Sequence, residues 1–361
     1  MGDVRRVLIT GATGFVGIYL VAHLNETYPD WQVTGTTRHA APADSRFVPC
    51  DLRDDAAVAS LIERVKPEMV VHLAGQSNVP ASLQDPETTL ANNILGTLHL
   101  LDACRVYAPQ ARLLIVSSSE VYGPTPPEAQ PLYEDRPLRP VNPYAVSKAA
   151  QEMLALQYAH SYDLDVVVTR PFNHIGPGQT DRFVVSAFAR QIVEVERGER
   201  QVISVGNLDA ARDFTDVRDV VRAYGLLLER GERGGVYNIG RGTAAPIGDL
   251  LDMLCRLAQV AITIERDSAR LRPSDAPVMM ADTARLRQAT GWQPEIPLAQ
   301  SLDEIVAWWR ENLTPQPPSV TSAWEGGGSL QQAGALEGTP GYSQRVTPSH
   351  AEGRKGPGVR S

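Results

Sequence analysis

Tyr144 and Lys148 stand four residues apart, a spacing that puts both on one face of a helix. A phenol ordinarily titrates near pH 10. An adjacent ammonium favours its ionised form, and each unit of depression represents about 1.4 kcal/mol. A phenol poised in this way gives or takes the proton of a carbinol while a nicotinamide gives or takes the hydride. The spacing alone is common and acquires meaning only in company. Part of that company lies upstream, where the apolar run 113–116 ends in Ser117, Ser118, Ser119 and Glu120. Hydroxyls at the carboxyl end of a buried parallel strand lie where α/β sheets bind ligands. Serines there also cap the segment that follows, and the pattern by itself leaves both readings of Ser118 open.

The rest of the company lies at the N-terminus. An apolar strand at 7–10 runs into Gly11-Ala12-Thr13-Gly14-Phe15-Val16-Gly17, and an apolar helix follows to residue 25. Glycines let the backbone approach a pyrophosphate, and the helix start offers free N–H groups at the positive end of its dipole. The spacing is G-x-x-G-x-x-G rather than G-x-G-x-x-G. The next strand ends in Gly35-Thr36-Thr37-Arg38, where an NAD site usually carries an acid. An arginine fork suits a 2′-phosphate, so the expected cofactor is NADP (NADPH), with NAD the alternative and a solvated loop charge the bland reading of Arg38.

These residues need a scaffold that brings 11–17, 118, 144 and 148 together. Short, nearly continuous apolar strands are expected at 7–10, 33–37, 47–50, 69–73, 113–117 and 166–169. Helices alternate with them at 14–25, 56–65, 88–107 and 143–162, with Pro143 suited to a first helical turn. Such alternation predicts an α/β fold, a doubly wound parallel (Rossmann-type) sheet over residues 1–170. The pattern then becomes mixed. Helices at 183–197, 217–229, 247–258, 282–290 and 298–310, with strands at 202–205, 237–239 and 262–265, describe a smaller α/β substrate lobe over 171–313. That lobe is interleaved with the first, since 237–239 reads as a strand returning to the main sheet. Residues 314–361 hold 9 glycines and 6 prolines in 48 positions and read as a disordered Pro/Gly/Ser-rich tail.

Together the motifs resemble the extended short-chain dehydrogenase/reductase family, in its nucleotide-sugar branch, over roughly residues 5–312. The supporting segments are Gly11–Gly17, Asp51-Leu52, His72-Leu73-Ala74-Gly75, Asn93-x-x-Gly96-Thr97, Ser118 four before Tyr122, and Tyr144/Lys148. Within the branch, His72–Ser77, Arg170–Gln179, Val205–Val217 and Leu271–Asp275 are similar to the reductases of GDP-4-keto-6-deoxy-mannose, with the GDP-mannose 4,6-dehydratases next. The segment 179–185 follows the reductase pattern. Glu120 stands where the dehydratases carry their carbon-5 base, which keeps a dehydratase or a bifunctional enzyme open.

The resemblance implies roles for individual residues. Ser118, Tyr144 and Lys148 are the expected catalytic groups, joined by Glu120. The cofactor is expected on Gly11, Thr13, Gly14, Phe15, Val16, Gly17, Arg38, Asp51, Leu52, Leu73, Ala74, Gly75, Asn93, Tyr144, Lys148, Pro171 and Phe172. The substrate is expected at Gln76, Ser77, Ser118, Asn173, Val184, Arg212, Arg272 and Asp275, with Asn173, Arg212 and Arg272 on its phosphates. A cofactor-sensing protein without activity would ordinarily lose the tyrosine or lysine, and both are present. A UDP-sugar epimerase is disfavoured by the GDP-type segments.

Composition narrows the partners. With 361 residues the chain is ample for a large core. Its net charge of −8 argues against a nucleic-acid footprint or electrostatic capture by an anionic membrane. No apolar run approaches about 20 residues, and no signal-type segment opens the chain, so a cytoplasmic location is expected. Cys50, Cys104 and Cys255 lack any C-x-x-C spacing and read as inert thiols. His72 and His174 lack ligand spacing and read as scaffold, so no metal is expected. The helices expected at 88–107 and 143–162 are apolar around much of their circumference. That surplus, and the habit of the family, point to a homodimer paired through both helices.

Overall fold

The computed structural model describes residues 5–38, 44–268 and 276–313. Seven short strands, each bounded by a turn or a helix, build one parallel sheet. In chain order the first elements are β1 (Arg6–Thr10), α1 (Phe15–Thr27), β2 (Gln32–Thr37), β3 (Phe47–Pro49), α2 (Asp55–Val65) and β4 (Met69–His72). Then come α3 (Val79–Gln84), α4 (Pro86–Leu90), α5 (Gly96–Tyr107), β5 (Arg112–Val116), α6 (Pro143–Tyr162), β6 (Asp165–Pro171), β7 (Asn173–Ile175), α7 (Val184–Glu196), β8 (Ile203–Val205), β9 (Ala211–Asp216), α8 (Val217–Arg230) and β10 (Val236–Ile239). The last elements are β11 (Ala244–Pro246), α9 (Ile247–Arg256), β12 (Ile264–Arg266), β13 (Val278–Met279), α10 (Ala284–Thr290) and α11 (Leu298–Asn312).

The sheet order is β10-β6-β5-β4-β1-β2-β3, all parallel. From β1 the chain winds outward through β2 and β3, then returns to place β4 on the other side of β1. The crevice above β1 and β4 is therefore the topological switch point, where open α/β sheets take their ligands. Apolar side chains of β1, β4 and β5 alternate between two cores. Val7, Ile9, Val71 and Leu114 pack with α1 and α8, while Leu8, Val70, Leu113 and Ile115 pack with α2, α5 and α6. A third core joins α7, α9 and α11 over β8 and β9. There β9 pairs with β7, β11 and β13 in a small mixed sheet, and β8 pairs with β12. The strand expected at 237–239 does return to the main sheet, as β10 beside β6.

The helix expected at 88–107 is interrupted. After α4, residues Ala91–Leu95 form a π turn before α5 begins. The wider turn carries Asn92 and Asn93 inward, both buried, and leaves Leu95 exposed. Helix α6 is continuous. Asn142 caps it, accepting from the Ala145 amide at 2.8 Å, and Pro143 occupies its first turn. Its inner face is polar: Ser147, Lys148, Gln151 and Glu152 are all buried. Val146 and Met153 stay exposed on its outer face, as do Val106 and Tyr107 on α5. Among the described residues no helix is long and apolar enough to cross a membrane.

Glu152 is 0 % exposed and takes a two-pronged ion pair from Arg170 of β6. The same guanidinium donates to the Tyr122 hydroxyl at 2.9 Å and to the Glu134 carbonyl at 2.7 Å. Burial alone would lower the Arg170 pKa, but the bonds to Glu152 and Tyr122 raise it above its ordinary value. Removing one partner of such a pair strands the other charge. Glu152→Leu is expected to cost about 3–5 kcal/mol of folding stability, read as the shift in a urea unfolding curve. A midpoint equal to that of the native chain would show that α6 is not braced here.

Candidate active site

The carboxyl end of β5 and the first two turns of α6 bring Ser118, Tyr144 and Lys148 together. The Ser118 hydroxyl caps a short 3-10 turn, Ser119–Tyr122, by accepting from the Glu120 amide at 3.2 Å. The same side chain also stands near enough to the Tyr144 phenol to favour its ionised form. The capping reading is thus realised, by a hydroxyl that also stands near the phenol. The expected depression of the phenol is not found. Burial pushes Tyr144 up to about 12; the Ser118 hydroxyl lowers it, and the nearby Glu120 charge raises it. Lys148 adds no compensating pull because its ammonium is anchored elsewhere. Its Nζ donates to the Val116 carbonyl at 2.8 Å and to Gln151 Oε1 at 2.9 Å. Burial lowers Lys148 to about 8. Glu120 lies half-buried, and its Oε2 accepts from Asn142 Nδ2 at 3.4 Å.

A network that the sequence did not disclose supports these groups. Asn93 Oδ1 accepts from the Gln76 amide at 2.8 Å, and its Nδ2 donates to the Gln76 carbonyl and to Ser147 Oγ. Ser147 Oγ donates in turn to the Tyr144 carbonyl at 2.7 Å. Asn93 is 0 % exposed and its amide is fully engaged. Asn93 thus clamps the loop after β4 to α6. His72, at the end of β4, bonds Thr10 Oγ1 through Nδ1 at 2.7 Å and Thr97 Oγ1 through Nε2 at 2.9 Å. Thr97 donates to the Asn93 carbonyl, so its oxygen accepts from Nε2–H, and Thr10 donates to Nδ1. Burial, with help from Lys148, lowers His72 to about 3 and keeps it neutral.

The glycine turn faces the loop after β4 across the switch point. A Cβ on Gly11, which has φ +72°, would lie 2.8 Å from the Ala74 amide, and one on Gly17 would lie 2.4 Å from the Gly11 carbonyl. Both positions thus require glycine for close approach. Gly14 and Thr13 are exposed. Helix α1 has no side-chain cap and no acid in its first turn, and no intrahelical carbonyl can serve the amides of Phe15, Val16 and Gly17. Helices α2 and α6 are capped by Asp54 and Asn142, so the open start of α1 fits an anionic group. Arg38 lies at the carboxyl end of β2, donates to Asn92 Oδ1 at 3.1 Å, and its charge helps to hold Asp51 low. Asp51 is held at about 2 mainly by its bonds to Arg53. Leu52 is buried against the start of α5. Leu73 and Ala74 are half-buried beside β1, and Gly75 is exposed with Asn93 Oδ1 only 2.9 Å from where its Cβ would stand. An anionic dinucleotide is compatible with this set of groups.

On the substrate side the assignments divide. Asn173 opens β7, and Val184 opens α7, half-buried. The Gln76 side chain folds back on the Asn78 backbone, and Ser77 is exposed. Arg212 on β9 donates to the Ala211 and Ala276 carbonyls. Arg272 and Asp275 lie outside the described residues. Pro171 ends β6, buried. Phe172 is buried, its ring packed in a satellite core with Tyr122, Leu132, Met279 and Ala281. His174 stacks on Phe15 at 6.2 Å and bonds the Phe172 carbonyl, which ties the small sheet to the start of α1. Among the described residues no group of three His, Cys, Asp or Glu is placed to hold a metal.

Comparison with known proteins agrees with this geometry. A family model described as GDP-mannose 4,6 dehydratase matches residues 8–305. The GDP-6-deoxy-D-mannose reductase of Pseudomonas aeruginosa is 40 % identical over 310 residues, 86 % of this chain and 98 % of that protein. A dTDP-glucose 4,6-dehydratase of Streptomyces niveus is 31 % identical over 345 residues, 91 % of this chain and 99 % of that one. Among solved structures, RMD from Pseudomonas aeruginosa complexed with NADPH superposes with a TM-score of 0.76 at 40 % identity, covering 85 % of this chain and 99 % of its own. The UDP-glucose 4-epimerase of Thermus thermophilus complexed with NAD gives 0.76 at 29 % identity, with 85 % and 99 % covered.

The clamp has a measurable consequence. Asn93→Ala leaves the Gln76 amide and carbonyl without their partners, at about 1–3 kcal/mol for each buried group stranded. A loss of at least about 2 kcal/mol in chemical denaturation is expected. Unaltered stability would show that Asn93 is not a clamp.

Proposed function

The chain belongs to the GDP-mannose 4,6-dehydratase family, and from that premise we propose that it is an NADPH-dependent nucleotide-sugar reductase. It reduces the C4 ketone of GDP-4-keto-6-deoxy-D-mannose, giving GDP-D-rhamnose. The observation that carries this reading is the burial of Ser118, Tyr144 and Lys148 side by side at the carboxyl end of β5. The 40 % identity to a GDP-6-deoxy-D-mannose reductase and the NADPH in its solved counterpart support substrate and cofactor. Arg38 supports a 2′-phosphate.

The reduced nicotinamide supplies the hydride to C4. Tyr144 gives its proton to the oxygen that becomes an alkoxide, and Ser118 hydrogen-bonds the same oxygen. Lys148 favours the phenolate that remains and, by family resemblance, holds the nicotinamide ribose. The amides of Phe15, Val16 and Gly17 hold the pyrophosphate. Asn173, Arg212 and Arg272 serve the GDP phosphates and Asp275 a hydroxyl, with Gln76, Ser77 and Val184 along the sugar. Direction follows from the phenol. A group pushed up to about 12 keeps its proton throughout the working range and suits a donor to an alkoxide. Oxidation of a carbinol would need the same group ionised. Exposed Val146 and Met153 on α6, with Val106 and Tyr107 on α5, support a homodimer through these two helices.

One observation favours a second reading. Glu120 lies close enough to Tyr144 to raise it, where a dehydratase carries its base. Incubation separates the two. The keto-sugar with NADPH should lose reduced-nicotinamide absorbance, and GDP-mannose alone should stay unchanged. Conversion of GDP-mannose without net loss of NADPH would make the protein a lyase.

Tyr144→Phe is expected to lower turnover at least about a hundredfold. An undiminished rate would remove the phenol from the reaction. For pH, the ammonium of Lys148 is present below about 8 and lost above it, while Tyr144 holds its proton to about 12. Plotted against pH, kcat/KM should therefore fall on the alkaline side with a midpoint near 8. A profile flat to pH 10 would contradict a charged lysine in the working site.

A further inference from the structure

Gln151 is fully buried one helical turn beyond Lys148, and its Oε1 accepts from the ammonium at 2.9 Å. We propose that Gln151 is a positioning residue: its uncharged carbonyl oxygen holds the Lys148 ammonium in place without cancelling its charge. The amide orientation follows from chemistry. Flipping it would set NH2 against NH3⁺, donor against donor. In the orientation seen, Gln151 Nε2 is buried with no hydrogen-bond partner. A buried unmet donor is a cost that a leucine of the same volume avoids, so folding alone does not explain the residue.

The surroundings make the choice of a neutral acceptor matter. The other anchor of the ammonium, the Val116 carbonyl, is also neutral. Among the described residues no carboxylate pairs with Lys148. Glu152 adjoins Gln151 in sequence but is committed to Arg170. Glu120, in the turn after β5, acts on Tyr144. His72, at the end of β4, is close enough to feel the ammonium and is neutral. Tyr144 lies one turn before Lys148, and Tyr224 of α8 lies near Tyr144. The ammonium thus keeps its charge uncancelled and retains one N–H beyond the two that are used. A glutamate here would pair with it and raise its affinity for a proton.

This inference rests on the roles given to Tyr144 and Lys148 above, and its test separates the two. The chain holds three lysines, Lys66, Lys148 and Lys355, so a ¹³Cε-lysine NMR titration resolves Lys148 in the full-length protein without substrate. The native midpoint is expected near 8. Gln151→Glu should raise it by about one pH unit or more, and Gln151→Leu should lower it. The alkaline limb of kcat/KM should move with each midpoint, a displacement that a loss of packing would not produce. Coincident Lys148 titrations in the three proteins overturn the proposal, and either variant suffices if the other fails to fold. Moving midpoints in a protein that reduces no keto-sugar would sustain the lysine clamp and refute the reductase reading.

Discussion

A helix packed against a sheet ordinarily turns an apolar face inward, yet α6 buries Ser147, Lys148, Gln151 and Glu152. Such groups need partners in place of the water they have lost, and for Ser147, Lys148 and Glu152 partners lie on other site-forming segments. Lys148 is bound to the end of β5, Ser147 to Asn93 in the π turn, and Glu152 to Arg170 on β6. Arg170 carries the tie onward to Tyr122, whose hydroxyl donates to Asn238 Oδ1 on β10 at 2.7 Å. The Asn238 amide then donates to Glu134. A shift of α6 by one residue would strand several buried polar groups at once. The placement of Tyr144 beside Ser118 therefore follows from how the polar face is satisfied more than from the apolar contacts around it.

The same demand acts on the cofactor side. The turn after β1 and the loop after β4 touch across the switch point, with the Leu73 amide donating to the Thr10 carbonyl at 3.2 Å. The Ala74 amide donates to Thr10 Oγ1, which leads through His72 and Thr97 to the Asn93 carbonyl. One chain of hydrogen bonds thus runs from the glycine turn to the clamp that holds α6. A histidine able to protonate near neutral pH would break its polarity, and burial prevents that.

Much of this was legible in the sequence, and what was missed has a common cause. Strands β1, β4, β5 and β6 announce themselves by apolar runs, and Gly11–Gly17 by its place between strand and helix. Tyr144 and Lys148 share the buried side of α6 at the end of β5, as their spacing implied. The π turn was hidden because apolar periodicity at 88–107 is compatible with an unbroken helix. Strands β7, β9, β11 and β13 were hidden because they are short and partly polar. The partners of Asn93 and Phe172 were hidden for one reason: a motif names the residue type without saying which way the side chain turns. Gln151 and Glu152 left no trace, since a polar pair on a helix reads as a solvated face until the partners on other strands are known.

The ionisation of the phenol ties the fold to the direction of the chemistry. Burial and the charge of Glu120 both disfavour phenolate, and the Ser118 hydroxyl offsets only part of that. A protonated phenol beside a ketone is an acid awaiting an alkoxide, and it becomes strong enough only as negative charge develops on the oxygen. In the reverse sense the site would first have to ionise Tyr144 within reach of Glu120. A buried tyrosine near a carboxylate, with a lysine held by neutral oxygens beside it, is thus kept in its protonated form.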